Sequence, residues 1–312
     1  MRERQLIGPY VVLRKHGGKK EIYFAFDRQT NKKVVLKKAM PMKGISGYTP
    51  EEAGRIALEY EHSLQSRLSN SNICPVDGPI REYDKHQFMV TKLIGIKHLG
   101  QYAKEGLSRQ ERISVLEDIA RALVHCHAQN IVHLDVKEEN IVVHRKRGIL
   151  IDFGAARSLD EVLKIGNQYL LLTPSRASPE HASARGFTKR SDVFSFALVA
   201  YKILSGKEAF QIDHDGKDDW IMYDRPNFDF YKQLEKYGDL GRLLMASLDF
   251  RFYMRPSMAE VADVFREVAR QYLPPSARTS APCPETTWLS LPQKIGPVKR
   301  TTAFYDFDPP QL

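Results

Sequence analysis

The sequence predicts an α+β protein in which a small strand-rich part with one helix precedes a larger helical part. Short runs of β-branched and aromatic residues at 10–13, 22–26, 33–36 and 87–93 lie between Gly, Asn and Asp breaks, which is typical of strands. After them, apolar residues recur at helical spacing. We therefore place the boundary between the two parts near residues 93–99.

Two capping boxes predict where the main helices begin. Thr49 is followed by Pro50 at the first helical position and by Glu52 three residues after the cap, so it predicts the single helix of the strand-rich part. Ser108 and Glu111 form the same signal in the second part. The helix that they open has one face made of Ile113, Leu116, Ala120, Leu123 and His127.

The composition excludes several classes of protein. The 312 residues are 42% hydrophobic and 27% charged, which excludes a wholly disordered chain and a collagen. The 47 Lys and Arg residues against 38 Asp and Glu leave a net charge of +9, which by itself selects no polyanionic partner, and we expect no nucleic-acid ligand. The most apolar stretch, 193–204, is shorter than the roughly 20 residues of a membrane span, so we expect a buried helix there and no span.

The cysteines and the chain ends bear on the compartment. Cys74, Cys126 and Cys283 are far apart and form no CxxC motif, so neither a disulfide framework nor a zinc site is predicted. The N-terminus has no apolar signal segment, and we expect a cytoplasmic protein with reduced thiols. Residues 274–312 hold eight of the 17 prolines with little periodicity and predict an extended tail.

Four segments carry the chemistry. Val-Val-Leu-Lys ends at residue 37, Ile-Val-His-Leu-Asp-Val-Lys-Glu-Glu-Asn-Ile spans 131–141, Ile-Asp-Phe-Gly spans 151–154, and Thr-Pro-Ser-Arg-Ala-Ser-Pro-Glu spans 173–180. In this order they resemble the strand lysine, catalytic loop, metal motif and peptide-binding loop of eukaryotic-type (Hanks-type) Ser/Thr protein kinases. Asp192 and Arg255 match two later structural positions of the same family, and the resemblance implies a buried ion pair between Arg255 and Glu180.

The resemblance covers residues 8–273 and implies the bilobal protein kinase fold, with an N-lobe at 8–94 and a C-lobe at 95–273. It implies transfer of the γ-phosphoryl group of ATP, with Mg²⁺ as cofactor, to Ser or Thr hydroxyls of protein substrates. Such transfer needs positioning and charge neutralisation more than covalent chemistry. This requirement explains the lysine, carboxylates and amide of the motifs.

The resemblance also implies individual roles. The catalytic residues are Asp135, which accepts or orients the substrate hydroxyl proton, with Lys137 and Asn140. The Mg²⁺ ligands are Asn140 and Asp152, because this ion prefers hard oxygen donors. Lys37 contacts the phosphates of ATP and is held by a carboxylate. That partner is Glu61 by counting eleven residues back from Asn72, with Glu59 as the alternative.

The nucleotide site implied by the same register has two parts. The phosphate-covering loop contributes Gly17, Gly18 and Ile22, and the adenine pocket contributes Val35, Thr91, Lys92, Leu93, Ile94 and Val142. In this loop only Gly17 of the family's three glycines is kept, although such glycines let backbone N–H groups approach phosphates. Lys19 and Lys20 either compensate electrostatically for the missing glycines or are only surface residues of a hairpin.

The class of acceptor follows from two residues of the resemblance. Lys137 lies two residues after Asp135, and Thr173 lies seven before Glu180, as in kinases that phosphorylate Ser and Thr. His98 stands where a glutamate that binds basic substrates is often found, although Glu138 and Glu139 are near.

Of three departures from the family pattern, the reduced glycine loop and Leu134 leave an alternative open. Besides the reduced glycine loop, Gln65 takes an apolar helix position and Leu134 replaces the arginine of the HRD motif, which normally binds a phosphate on the activation loop. The alternative is a pseudokinase or weakly active binding module. A kinase-like small-molecule phosphotransferase is a third interpretation, but such enzymes generally lack the set of Glu180, Asp192 and Arg255.

Leu134 also predicts how the activation segment, 152–180, is controlled. Without the arginine, we expect the protein to be competent before any phosphate is added to this segment. Its candidate phosphosites are Ser158, Tyr169, Thr173, Ser175 and Ser178. At the tail end, residues 304–308 resemble a hydrophobic motif that some kinases dock in cis. The tail either docks on the N-lobe, binds a partner or forms a disordered end.

Overall fold

The computed structural model describes residues 5–16, 21–42, 47–160, 173–183, 185–213, 222–226 and 230–272. Gly17, Gly18 and the neighbouring Lys19 and Lys20 lie outside the described residues. So do Tyr169 and the tail at 274–312, with its predicted docking motif.

An antiparallel six-stranded sheet forms the N-terminal lobe, in the order β1-β2-β3-β4-β6-β5. Its strands are β1 Leu6–Ile7, β2 Tyr10–His16, β3 Ile22–Asp27, β4 Lys32–Lys38, β5 Arg81–Tyr83 and β6 His86–Lys92. Alternate residues of these strands, such as Tyr10, Ala25, Leu36 and Val90, are fully buried in one apolar cluster. The four strand runs read from the sequence are confirmed.

Helix α1, Pro50–Ser66, lies between β4 and β5 in the chain and packs near β6. Its capping box is formed, because Glu52 N–H donates to Thr49 Oγ1 at 3.3 Å and Thr49 N–H donates to Glu52 Oε2 at 2.8 Å. Gly54 lets the helix approach the preceding segment, since an added Cβ would lie 2.0 Å from the Met40 carbonyl oxygen. The position of α1 is therefore set at both its cap and its side.

The C-terminal lobe is mainly helical. Its helices are α2 Leu99–Lys104, α3 Arg109–Ala128, α4 Pro179–Ala182, α5 Lys189–Ser205, α6 Phe230–Glu235, α7 Asp239–Ser247 and α8 Met258–Arg270. Its short strands are β7 Ile131–Val132, β8 Ile141–His144, β9 Arg147–Leu150, β10 Arg157–Ser158, β11 Phe210–Asp213 and β12 Met222–Pro226. Helices α3, α5, α7 and α8 pack around one large apolar core. The predicted α+β, bilobal fold is confirmed.

Helix α5 contains the apolar stretch 193–204 and is buried along most of its length, as the sequence predicts. Among the helices that the structure describes, none combines the length and the apolar character needed to cross a lipid bilayer.

A carboxylate of α5 holds the loop that follows β7. Asp192 accepts hydrogen bonds from the backbone N–H groups of His133 and Leu134, each at 2.8 Å, and contacts His127 Nε2 at 2.8 Å. Leu134 has a φ of 62°, a left-handed conformation that is costly for a branched side chain. The buried Asp192 side chain stabilises this conformation, and His127 is a core residue, as predicted.

Candidate active site

The end of β4 meets α1 and the 151–154 segment at one ammonium group. Lys37 Nζ donates to both oxygens of Glu61, at 2.5 and 2.6 Å, and to Asp152 Oδ1 at 2.7 Å. Glu59, the alternative partner, instead accepts from Gln87 Nε2 at 3.1 Å. The structure therefore brings Lys37 to Glu61, in agreement with the register counted from Asn72.

Electrostatics keep this lysine charged. Burial alone would lower the pKa of Lys37, but the charges of Asp152 and Glu61 outweigh burial and hold the pKa above its ordinary value. Gly154 leaves room for the triad, because an added Cβ would lie 3.2–3.3 Å from Glu61 Oε2, Lys37 Nζ and Asp152 Oδ1. A fixed cation close to Asp152 suits an anionic ligand such as a phosphate.

A second cluster surrounds Asp135, whose side chain is almost fully buried. Lys137 Nζ lies 2.7 Å from Asp135 Oδ2, and Thr173 Oγ1 donates to Asp135 Oδ1 at 2.5 Å. Asn140 Nδ2 donates to Asp135 Oδ2 at 2.8 Å, and Lys137 Nζ also donates to Thr173 Oγ1 at 2.7 Å. Three side chains from the 131–141 loop and the 173–180 segment thus fix one carboxylate.

The residues predicted to bind Mg²⁺ are held next to each other in the fold. Because Asn140 donates its amide N–H to Asp135, its amide oxygen is left as the acceptor, and Ile151 N–H donates to the Asn140 carbonyl at 2.9 Å, directly before Asp152. No group of three or more His, Cys, Asp or Glu side chains suited to a metal forms within the described ranges. The donor set still fits Mg²⁺, which uses one or two carboxylates, substrate phosphates and water.

The comparisons with known proteins agree with this geometry. The family model "Protein kinase domain" matches residues 16–264, most of the chain. The chain belongs to the protein kinase family.

The relatives of this kinase include bacterial and plant kinases, of which three bacterial ones are described. It is 28% identical over 211 residues to "Serine/threonine-protein kinase PknD" of Mycobacterium tuberculosis, covering 66% of this chain and 31% of the relative. It is 26% identical over 213 residues to "Serine/threonine-protein kinase PrkC" of Bacillus subtilis, covering 66% and 32%. It is 24% identical over 200 residues to "Probable serine/threonine-protein kinase PknB" of Lactococcus lactis, covering 63% and 31%. The chain spans about a third of the length of these curated relatives.

Residues of the predicted nucleotide site lie on both lobes of the kinase. Val35 in β4 is opposite Thr91 in β6, and Ile22 in β3 is opposite Lys37. Val142 in β8 is opposite His98 in an isolated bridge. Contact of these residues with a nucleotide stays a prediction.

The segment that joins the lobes has a second exposed side. Lys92, Leu93 and Ile94 line a cavity of about 930 Å³ together with residues of α1, such as Gln65. Val35 and Val142 are not among its lining residues. Three of the six predicted adenine residues, Lys92, Leu93 and Ile94, therefore line this cavity, and the other three do not.

A buried ion pair lies below the peptide-binding segment of the kinase. Arg255 Nη1 and Nη2 donate to the two oxygens of Glu180, each at 2.8 Å, and Ser191 Oγ donates to Glu180 Oε1 at 2.7 Å. Arg255 is 2% exposed. Burial alone would raise the pKa of Glu180, but Arg255 holds it below its ordinary value. The predicted pair of Glu180 and Arg255 is confirmed.

Four further charged residues near the site were not identified from the sequence as a group. Arg176 Nη2 lies 2.7 Å from Glu138 Oε1, Arg176 Nη1 lies 3.0 Å from Glu208 Oε2, and Lys202 reaches both carboxylates. From the sequence, Glu138 was noted only as an acidic residue of the catalytic loop. In the structure its carboxylate is paired with Arg176 and Lys202.

Glu138 gives the kinase a specific pH dependence. Burial alone would raise the pKa of the Glu138 carboxyl, but the hydrogen bond and charge of Arg176 lower it to about 2, from 4.5 in the unfolded chain. A depressed carboxyl pKa adds stability above pH 4.5 that is lost as the pH falls toward 2.

We expect Glu138→Gln to destabilise the protein at neutral pH and to differ less from wild type in acid. Between about pH 6 and about pH 3, the difference in free energy of unfolding should shrink by about 2 kcal/mol. Urea unfolding at both pH values measures it. Glu267→Gln, which removes an exposed carboxylate 3.6 Å from Arg270, is the control and should show no such change. A pH-independent difference for Glu138→Gln would contradict the assignment.

Proposed function

We propose that this chain is an active Ser/Thr protein kinase that transfers the γ-phosphoryl group of Mg·ATP to hydroxyls of protein substrates. The observation that carries the proposal is the Asp135 carboxylate, held by Lys137, Asn140 and Thr173 beside the Lys37–Glu61–Asp152 triad. A chain used only for binding has no need of a carboxylate fixed by three partners. The catalytic unit is residues 8–273, divided near residue 94.

The chemistry assigned to the side chains is simple. The acceptor oxygen forms a bond to the γ-phosphorus while the bond from that phosphorus to the oxygen that leaves with ADP breaks. The hydroxyl proton moves to the Asp135 carboxylate, which also orients the hydroxyl. Lys37 neutralises charge on the phosphates, and Lys137 neutralises charge near the acceptor. Asn140 and Asp152 would hold Mg²⁺, which when bound neutralises phosphate charge.

The acceptor class is supported by the bonds of Thr173. Its hydroxyl contacts both Asp135 and Lys137, which ties the peptide-binding segment to the catalytic loop as the resemblance to Ser/Thr kinases implies. The relatives PknD, PrkC and PknB carry Ser/Thr kinase names. Each of these relatives is about three times as long as the segment that matches. The substrates and partners of the whole protein are therefore part of this proposal.

A peptide-array assay tests the proposal. The purified protein is incubated with Mg·ATP and peptides that carry Ser, Thr or Tyr, and the modified residue is identified by mass spectrometry. We expect phosphate on Ser and Thr. Nucleotide binding without transfer to any peptide would instead favour the binding-module alternative.

The surroundings of Leu134 support activity without loop phosphorylation. Leu134 is 3% exposed and packs with Val132, Ala155 and Phe187. An isobutyl group in an apolar cluster offers no donor to a phosphate, so the charge-assisted bond that orders many activation loops is not available at this position.

We therefore expect phosphatase-treated protein to keep its activity within about twofold of untreated protein. Mass spectrometry confirms that phosphate is absent from Ser158, Tyr169, Thr173, Ser175 and Ser178, and a peptide assay measures the rate. A large loss of rate that rephosphorylation at one of these sites restores would contradict the prediction.

A further inference from the structure

Four alternating charges form a network between the catalytic loop and α5, named here the Arg176 network. Its members are Glu138, Arg176, Lys202 and Glu208. Arg176 and Glu138 are 5% and 3% exposed, and two hydrogen bonds, at 3.0 and 2.7 Å, join the guanidinium to the carboxylate. Such a two-point contact fixes direction as well as distance, which a lysine cannot do.

The network lies one step from the acceptor-binding chemistry. Arg176 ends the short 3₁₀ turn Pro174–Arg176, and its N–H donates to the Thr173 carbonyl at 3.0 Å. Glu138 begins the 3₁₀ turn Glu138–Asn140 of the catalytic loop. Thr173 and Asp135 are joined separately through the threonine hydroxyl. The peptide-binding segment is thus held against the catalytic loop at two points.

The outer side of the network is closed by Lys202 and Glu208. Lys202 Nζ lies 2.6 Å from Glu208 Oε1 and 3.0 Å from Glu138 Oε1, so each carboxylate of the network has two cations. The side chains of Lys202 and Glu208 are 39% and 41% exposed, whereas Arg176 is enclosed. The two positive and two negative formal charges cancel, which lowers the electrostatic cost of burying the contact in a low-dielectric site.

We propose that Arg176 is a positioning residue that sets the peptide-binding segment against the catalytic loop, so that an acceptor hydroxyl reaches Asp135. This inference rests on the proposed kinase function. Arg176 acts on the acceptor side alone, because its contacts lie at Glu138, Glu208 and the 173–176 turn, whereas Lys37, Glu61 and Asp152 hold the nucleotide side. Loss of Arg176 should therefore separate transfer to a peptide from reactions that need no peptide.

The experiment compares wild type with Arg176→Met, Arg176→Lys, Glu138→Gln and the double variant Arg176→Met/Glu138→Gln. For each protein we measure kcat and KM for a peptide that wild type phosphorylates, and KM for ATP. We also measure the slow hydrolysis of ATP by water and the melting temperature. Arg147→Met is the control, since Arg147 of β9 forms a similar, more exposed two-point contact with Asp118 of α3.

We expect Arg176→Met to lower peptide kcat/KM by about 10–100-fold, the scale of a misplaced acceptor. KM for ATP and the rate of ATP hydrolysis should stay within about twofold, because neither needs the peptide-binding segment. Arg176→Lys, which keeps the charge and loses the two-point contact, should recover part of the loss. The double variant should lose less than the product of the single effects, because both groups act through one contact.

The outcomes are separable. If a folded Arg176→Met or Arg176→Lys protein keeps the wild-type peptide kcat/KM, or loses ATP hydrolysis to the same extent, the inference is overturned while the kinase function stands. If the Met variant does not fold, the Lys and double variants are judged by the same criterion. If wild type phosphorylates no peptide, the proposed function fails and the inference fails with it.

Discussion

Replacing Asp135 with alanine is expected to slow phosphoryl transfer to a peptide by about 10²–10⁴-fold, the usual scale for a lost acid–base or orienting group. Nucleotide binding should change little, because the contacts of Asp135 go to Lys137, Asn140 and Thr173 and none goes to Lys37. Single-turnover transfer and nucleotide titration measure the two quantities. Asp152→Ala should differ from Asp135→Ala in nucleotide binding, because it removes a predicted metal ligand and a partner of Lys37.

A matched variant separates catalysis from folding. Asp118 is also a buried carboxylate with an arginine partner, Arg147, and lies outside the catalytic loop. Asp118→Ala should lower stability and leave the rate per folded molecule unchanged. Near-wild-type transfer by Asp135→Ala, or an equal rate loss in Asp118→Ala, would overturn the role given to Asp135.

Removing the Arg255 side chain is expected to lower the free energy of unfolding by about 3–5 kcal/mol, because it leaves the buried Glu180 carboxylate without its partner. The guanidinium also donates from Nε to the Asp249 carbonyl at 2.6 Å and lies over the Phe194 ring, 4.8 Å from its centroid. Activity should fall only as the folded fraction falls.

Denaturant unfolding of Arg255→Ala measures this loss. The control is Arg266→Ala, which removes an exposed ion pair with Asp263 within α8 and should cost no more than about 1 kcal/mol. An Arg255→Ala protein that unfolds like the control would show that the buried pair does not stabilise the C-terminal lobe.

The sequence was sufficient for those parts of the site that local patterns encode. Capping boxes at Thr49 and Ser108 place α1 and α3, and the count back from Asn72 selects Glu61, because helical spacing and motif distance are properties of the chain itself. Local spacing does not predict the Glu180–Arg255 pair, because 75 residues separate the two partners. That pair was predicted only from the family resemblance.

Contacts without a local pattern could not be predicted. The Arg176 network joins Glu138 to Arg176, 38 positions later in the chain, and to Lys202, which is later still. A charged residue taken alone is as consistent with solvent as with a buried partner. Gln65 is a second case, because it stands at an apolar position of the family. Its Nε2 donates to the Cys74 carbonyl at 2.7 Å, so a buried hydrogen bond is formed at this position.

The most direct test of the central claim is one comparison of phosphate transfer. Wild type and Asp135→Ala are given γ-labelled Mg·ATP and a peptide taken from the array, in versions that carry Ser and Tyr at the acceptor position. We predict label on the Ser peptide with wild type, at least about 10²-fold less with the variant, and none on the Tyr peptide. Nucleotide binding by wild type without labelled Ser peptide, or equal labelling by the two proteins, would contradict the claim.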